Sequence, residues 1–397
     1  MRILQIIPSI SLVYGGPSQM IKGFSAALAQ QGAEVTVLTT NANGDAGQPP
    51  LDVPLNQPIR QDGYQVRYFR CAPFRRYKFS LGLIRWLGEN SQSFDIAHIH
   101  ALFSPVSSAA AAMARLKRLP YILRPLGTLD PADLRKKQQL KQLYAAMLER
   151  PNLAGAAAIH FTSLQEAKIS ERFGLQTQDL VIPLGVQAQV CETDTADIAS
   201  PVSVHQQLGI PGDRPLVLFM SRIDPKKGLD LLIPALEALT HDIDFQFVLA
   251  GANPQDPSYE TQIKVRIQAS PLATKTTITG FVSGGVKAAL LQAADLFVLP
   301  SYYENFGIAV AEAMVSGIPV VISDQVHIWN DVHQAEAGWV SSCQVEALTQ
   351  SLRSALADKT ERQKRGLNAQ TYAREHYSWR AIALQTIQAY QKILTPL

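Results

Sequence analysis

Short apolar runs alternate with longer amphipathic stretches along almost the whole chain. Residues 3–7, 34–39, 64–69, 96–100, 121–123, 157–161 and 180–182 read as buried strands. Between them, 18–31 and 104–118 carry apolar residues at helical spacing. Short β-rich runs separated by helical ones predict a parallel sheet covered on both faces. The alternation pauses over 187–212, where acidic and small residues, Pro201 and Pro211 follow no period. It resumes with strands at 216–220, 245–250, 276–279, 296–299 and 319–322. Residues 379–394 close the pattern as a helix, with Ile382, Leu384, Ile387, Tyr390 and Leu394 on one face. The expected organisation is a doubly wound domain over 1–190, a linker over 191–212, a second such domain over 213–378 and a closing helix over 379–397.

Composition narrows the class. A chain of 397 residues with 47% hydrophobic and 17% charged residues is long enough for two globular cores. No run of eighteen or more apolar residues predicts a membrane span. The apolar N-terminus is too short for a signal peptide and reads as a first buried strand. Three scattered cysteines argue against a disulfide framework or a zinc site and fit a reducing cytoplasm. The net charge of +3 divides unevenly, +8 over residues 1–190 and −5 over the remainder. Arg67, Arg70, Arg75, Arg76, Lys78 and Arg85, interleaved with aromatics, and Arg135, Lys136, Lys137 and Lys141 supply most of the excess. Such stretches suit an anionic acceptor or a peripheral contact at the inner membrane surface, and equally a solvated basic face. No basic run is dense enough to read nucleic acid.

Candidate chemistry gathers where strands end. After 296–299 comes Glu304-Asn-Phe-Gly307-Ile-Ala-Val-Ala-Glu312, a polar turn entering a helix with a carboxylate on either side of it. Ligands in parallel α/β sheets lie at strand carboxyl ends and helix N-termini, although a carboxylate there is also ordinary capping chemistry. After 216–220, Arg222 and Lys227 share one loop. An arginine fork and a mobile lysine suit a diphosphate, and a solvated basic turn is the alternative. Gly15 and Gly16 follow the first strand and let backbone approach a ligand, or simply make a tight turn. They do not form the G-x-G-x-x-G pattern of a nicotinamide enzyme. His98 and His100 share one face of a strand. His100, at its carboxyl end, is the better catalytic candidate, and His98 reads as structural. Arg124 closes the next strand, placed to bind an acceptor or phosphate or to pair with a carboxylate. No ligand spacing suggests a metal or a cofactor.

Taken in order, these pieces resemble glycosyltransferase family 4, a retaining family with the GT-B fold of two Rossmann-like domains facing across a cleft. The resemblance covers nearly the whole chain. It implies a nucleotide-sugar donor, a carbohydrate or lipid-linked acceptor and metal-independent transfer. It further implies that Arg222 and Lys227 neutralise the diphosphate, Glu304 contacts the transferred sugar and Glu312 holds the ribose. Backbone around Asn305, Phe306 and Gly307 would bind phosphate, Gly15 and Gly16 would meet the diphosphate and acceptor, and His100 would lie beside the sugar. The closing helix would cross back onto the N-terminal domain. Leu184, Ala101 and Asn253 depart from common family residues without touching the implied catalytic set. Two other readings remain at this stage: an NDP-sugar epimerase and a catalytically silent sugar-nucleotide-binding protein.

Overall fold

The computed structural model describes residues 1–14, 16–44, 48–72, 78–135, 138–187, 205–206, 208–254 and 256–395. Gly15, Arg75, Arg76, Lys136, Lys137 and most of the expected linker (191–204 and 207) lie outside the described residues. Two compact units emerge. One comprises Met1–Gly185 with Trp379–Leu397, the other Val186–Ser378.

The first unit is an eight-stranded sheet in the order β3-β4-β2-β1-β5-β6-β7-β8. Its strands are β1 (Arg2–Ser9), β2 (Glu34–Thr40), β3 (Pro58–Gln61), β4 (Tyr64–Phe69), β5 (Ile96–His100), β6 (Tyr121–Arg124), β7 (Ala158–Phe161) and β8 (Asp179–Val181). Only β3 runs antiparallel to its neighbour. Both faces are covered, as a parallel sheet requires, so β1 exposes nothing beyond Arg2.

The two faces differ in chemistry. On one, Leu4, Ile6, Ala97, Ile99, Tyr121, Leu123, Ile159 and Phe161 form an apolar core with the helices Leu81–Asn90 and Pro105–Leu116. Strand alternation sends Gln5, His98, His100, Arg124 and His160 to the other face, all of them buried. The first helix (Gly16–Gln30) and the closing helix (Trp379–Leu394) pack against one another over that polar row. Phe24 and Tyr390 both reach His98. Trp379 anchors the closing helix between two glycines. A Cβ at Gly185 would stand 2.1 Å from the indole and one at Gly23 2.5 Å, so a methyl at either would have to displace the ring.

The second unit is parallel throughout, in the order β11-β10-β9-β12-β13-β14. Its strands are β9 (Leu216–Met220), β10 (Gln246–Ala250), β11 (Thr276–Gly280), β12 (Leu296–Leu299), β13 (Val320–Ser323) and β14 (Gly338–Ser341). The winding reverses between β9 and β12. The helix after β9 (Leu229–Glu237) packs on Val345–Ala357, and the helix after β12 (Ile308–Val315) packs on Lys359–His376. The two connections therefore leave on opposite faces and open the crevice in which doubly wound sheets bind ligands.

Candidate functional site

In the second unit, the loops leaving β9 and β12 meet at that reversal. Asp224 caps the turn Pro225–Lys227 by accepting from the Lys226 amide at 3.0 Å. Gly228 then turns the chain with φ +71°. A Cβ there would fall 2.1 Å from the Pro300 carbonyl, so only glycine lets the first loop lie against the second. The Tyr302 amide donates to the Lys226 carbonyl at 2.8 Å and fastens the two together. Lys227 Nζ consequently reaches the Glu304 carboxylate in an ion pair, both side chains being mostly buried. Glu304 is fixed from behind as well. Its amide donates to the Gln325 carbonyl (3.1 Å), and its carbonyl accepts from the His327 amide (3.0 Å). Arg222, on the same loop as Lys227, is half-exposed, with Nε 3.8 Å from Asp224.

The turn continues through Asn305, Phe306 and Gly307, the last being the N-cap of Ile308–Val315. Phe306 is buried with its ring against Tyr377, so what it offers a ligand is backbone. Glu312 lies just over one turn into the helix and pairs with Lys287 Nζ at 2.6 Å. Lys287 comes from Gly284–Ala293, the helix after β11. It belongs to no motif read from the sequence; the available signal was a lysine in the first turn of a helix that follows a strand end.

In the first unit the polar row forms a hydrogen-bonded layer. His160 Nε2 can only donate to the Ile182 carbonyl, 2.8 Å away, so its Nδ1 accepts from His98 Nε2 at 3.2 Å. His98 Nδ1 then accepts from the Tyr390 hydroxyl at 2.6 Å. His100 stacks on His98, with ring centroids 4.5 Å apart, and its Nε2 donates to Gln5 Oε1 at 2.7 Å. Burial pushes all three imidazoles well below the ordinary histidine range; the Arg124 charge adds to this in each, and the neighbouring histidines add to it in His100 and His160. All three are neutral at pH 7. His98 and His100 are thus equally buried members of one layer, a point that their shared strand face could not decide. Gly16 is the first residue of its helix and is exposed. Arg124 ends β6, and among the described residues no carboxylate is hydrogen-bonded to it.

Two family models match the chain in order. A glycosyl transferase 4-like domain matches residues 15–185, and glycosyl transferases group 1 matches residues 203–372. The chain belongs to the group 1 glycosyltransferases.

Its curated relatives agree. The D-inositol 3-phosphate glycosyltransferase of Xylanimonas cellulosilytica is 26% identical over 77% of this chain and 75% of its own length. The phosphatidyl-myo-inositol mannosyltransferase of Mycobacterium leprae is 26% identical over 100% of this chain and 98% of its own. Among solved structures, Anabaena HepE in complex with UDP and glucose aligns over 99% of this chain and 100% of its own, with a TM-score of 0.74 and 20% identity. The fold of this glycosyltransferase is GT-B. Among its described residues, no group of three or more His, Cys, Asp or Glu side chains is placed to hold a metal ion, and no helix is long and apolar enough to cross a membrane.

Proposed function

We propose that this glycosyltransferase moves a hexosyl group from a nucleotide sugar to a hydroxyl of a carbohydrate or lipid-linked acceptor, with retention of configuration and without a resident metal. The observation that carries the reading is the meeting of Lys227 with Glu304 at the reversal of the second sheet, with Arg222 and a helix N-terminus on the same two loops. As the bond between the sugar's anomeric carbon and the phosphate oxygen breaks, negative charge grows on the departing diphosphate. Arg222, Lys227 and the amides ahead of Ile308–Val315 supply compensating positive charge. The acceptor oxygen bonds to the anomeric carbon on the face the phosphate leaves, and the acceptor's hydroxyl proton passes to a phosphate oxygen. Glu304 orients the sugar hydroxyls and Glu312 the ribose hydroxyls.

HepE was solved with UDP and UDP-glucose, and the mannosyltransferase is named for a phosphatidyl-inositol acceptor. Uridine nucleotides and lipid-linked acceptors are therefore the first substrates to try. The test is a panel of UDP-, GDP- and ADP-sugars scored by thermal stabilisation, followed by turnover with the best donor. Nucleoside diphosphate should be released in proportion to the acceptor added, and EDTA should leave the rate unchanged. Donor turnover with no acceptor would favour an epimerase, and binding without turnover a silent protein. Glu312→Ala should weaken donor binding about ten- to a hundredfold, the size of a hydrogen bond to a charged group.

Membrane contact has a physical basis beyond charge. Leu140, Leu143, Met147 and Leu148 are exposed along 138–149, beside Lys141 and Arg150. Apolar residues among basic ones suit an anionic lipid surface. The expected result is co-sedimentation with vesicles containing phosphatidylglycerol, lost in Leu143→Glu/Met147→Glu. Retention of binding in that variant would remove this stretch from the interface.

A further inference from the structure

Among the described residues, Arg124 is the bulkiest of the fully buried side chains, and none forms an ion pair with it. Nη1 points at the Met20 sulfur, 3.2 Å away, and the guanidinium lies 5.9 Å from the Phe24 ring centre. Nε and Nη2, the two N–H groups forming the side-on edge, have no hydrogen-bond partner among the described residues. The one carboxylate whose charge it feels, Glu166, is fully engaged elsewhere. It accepts from the Gly127 amide through Oε1 and from the Thr162 amide and hydroxyl through Oε2. Burial pushes the guanidinium down to about 10. A buried cation with two unmade hydrogen bonds destabilises a fold, and among the described residues only the Phe24 ring and the Glu166 charge, which makes no hydrogen bond to it, offset that cost.

The surroundings add two observations. His100 is in register with Arg124 on the adjacent strand, and its Nδ1, an acceptor in the neutral ring, also has no partner. The loops that follow β5 and β6 hold three non-glycine residues in the left-handed region, Ala101 (φ 63°), Phe103 (φ 57°) and Leu126 (φ 56°). Strain of that kind persists where function selects it. Two parallel donors and one acceptor at a strand end match an oxyanion that carries a hydroxyl beside it.

We infer that the side-on edge of Arg124 binds a carboxylate or phosphate carried by the acceptor, with His100 Nδ1 taking a hydroxyl hydrogen bond from the same molecule. This rests on the transferase reading for the word acceptor; the oxyanion site itself stands on the first unit alone. The arginine is held ready at the expense of stability, which gives the test two independent readouts.

The experiment is thermal unfolding of the full chain at constant ionic strength, with inorganic phosphate, acetate or UDP replacing chloride. Phosphate or acetate should raise the melting temperature of the wild type, the larger shift naming the anion class. Arg124→Met should lose that shift, with at least tenfold weaker anion binding. In the absence of anion it should melt at or above the wild-type temperature, because an unpaired buried charge has gone. Arg124→Lys, which keeps the charge but not the fork, should also bind at least tenfold more weakly. The UDP shift should be the same in all three proteins. Anion shifts that are absent from the wild type or equal in wild type and Arg124→Met would overturn the site. So would a sharp loss of stability in Arg124→Met, which would make the arginine structural. Loss of the UDP shift in Arg124→Met would assign the edge to the donor diphosphate instead. Failure of every nucleotide sugar to bind would sink the donor reading and leave the anion result untouched.

Discussion

Lys227→Ala will lower turnover about a hundred- to a thousandfold, the scale seen when one group that stabilises developing charge is removed. The geometry says why the loss should be this large. The lysine is held by a capped turn, by a glycine that no other residue can replace, and by the hydrogen bond that the Tyr302 amide donates to the Lys226 carbonyl. Its ammonium is therefore positioned before the donor arrives, with little left to reorganise during the reaction. The loss should fall mainly on kcat, because the diphosphate gains charge as it leaves. Glu304→Ala should also be severe, and the double variant less than additive, because each residue is the other's ion-pair partner. Steady-state kinetics with saturating donor decides the matter. A Lys227→Ala enzyme within tenfold of wild-type turnover would show that the ion pair is only structural.

The second large effect is on stability against pH. His98, His100 and His160 have folded-state pKa values well below 6.5, the ordinary histidine value. Between those values and 6.5 the unfolded chain binds protons that the folded chain does not. Stability is therefore fully present above about pH 6.5 and falls as the pH drops below it. Each histidine contributes a slope of up to about 1.4 kcal/mol per pH unit, the three together up to about 4 kcal/mol per unit. The window lies above the ordinary carboxylate range, and Glu149, whose carboxyl is raised by burial in the same unit, is a single group acting with the opposite sign. Hydrogen exchange of the β5 and β6 amides, corrected for intrinsic rates, reports the opening of the first unit between pH 7.5 and 5. His98→Gln should remove about one proton from the slope. A pH-independent opening energy across this window would mean that the layer does not stay neutral and closed.

The two sheets were legible because buried parallel strands are short apolar runs, as at Ile96–His100, Leu216–Met220 and Leu296–Leu299. Two strands escaped that reading. Pro58–Gln61 is a half-exposed edge with a polar sequence, and Gly338–Ser341 begins with a glycine and ends with a serine. For the candidate site, loop motifs put Lys227 and Glu304 at the ends of two separate strands, and the strand order then made those strands neighbours. The pairing of Lys287 with Glu312 was not legible, since it depends on how two helices emerge from different parts of the sheet. Nor was the polar layer. Alternation places His98 and His100 on one face, but not whether water or helices cover it, and one of the two covering helices, Trp379–Leu394, lies far away in sequence.

That distance has a consequence for how the protein is made. Tyr390 meets a histidine 292 positions earlier in the chain. The eight strands of the first unit are all synthesised before β9, yet one of the two helices that cover their polar face follows the whole second unit in the chain. During translation, the layer of histidines and Arg124 must wait on the ribosome while an entire second unit is built. The first unit is completed only after the second has been made.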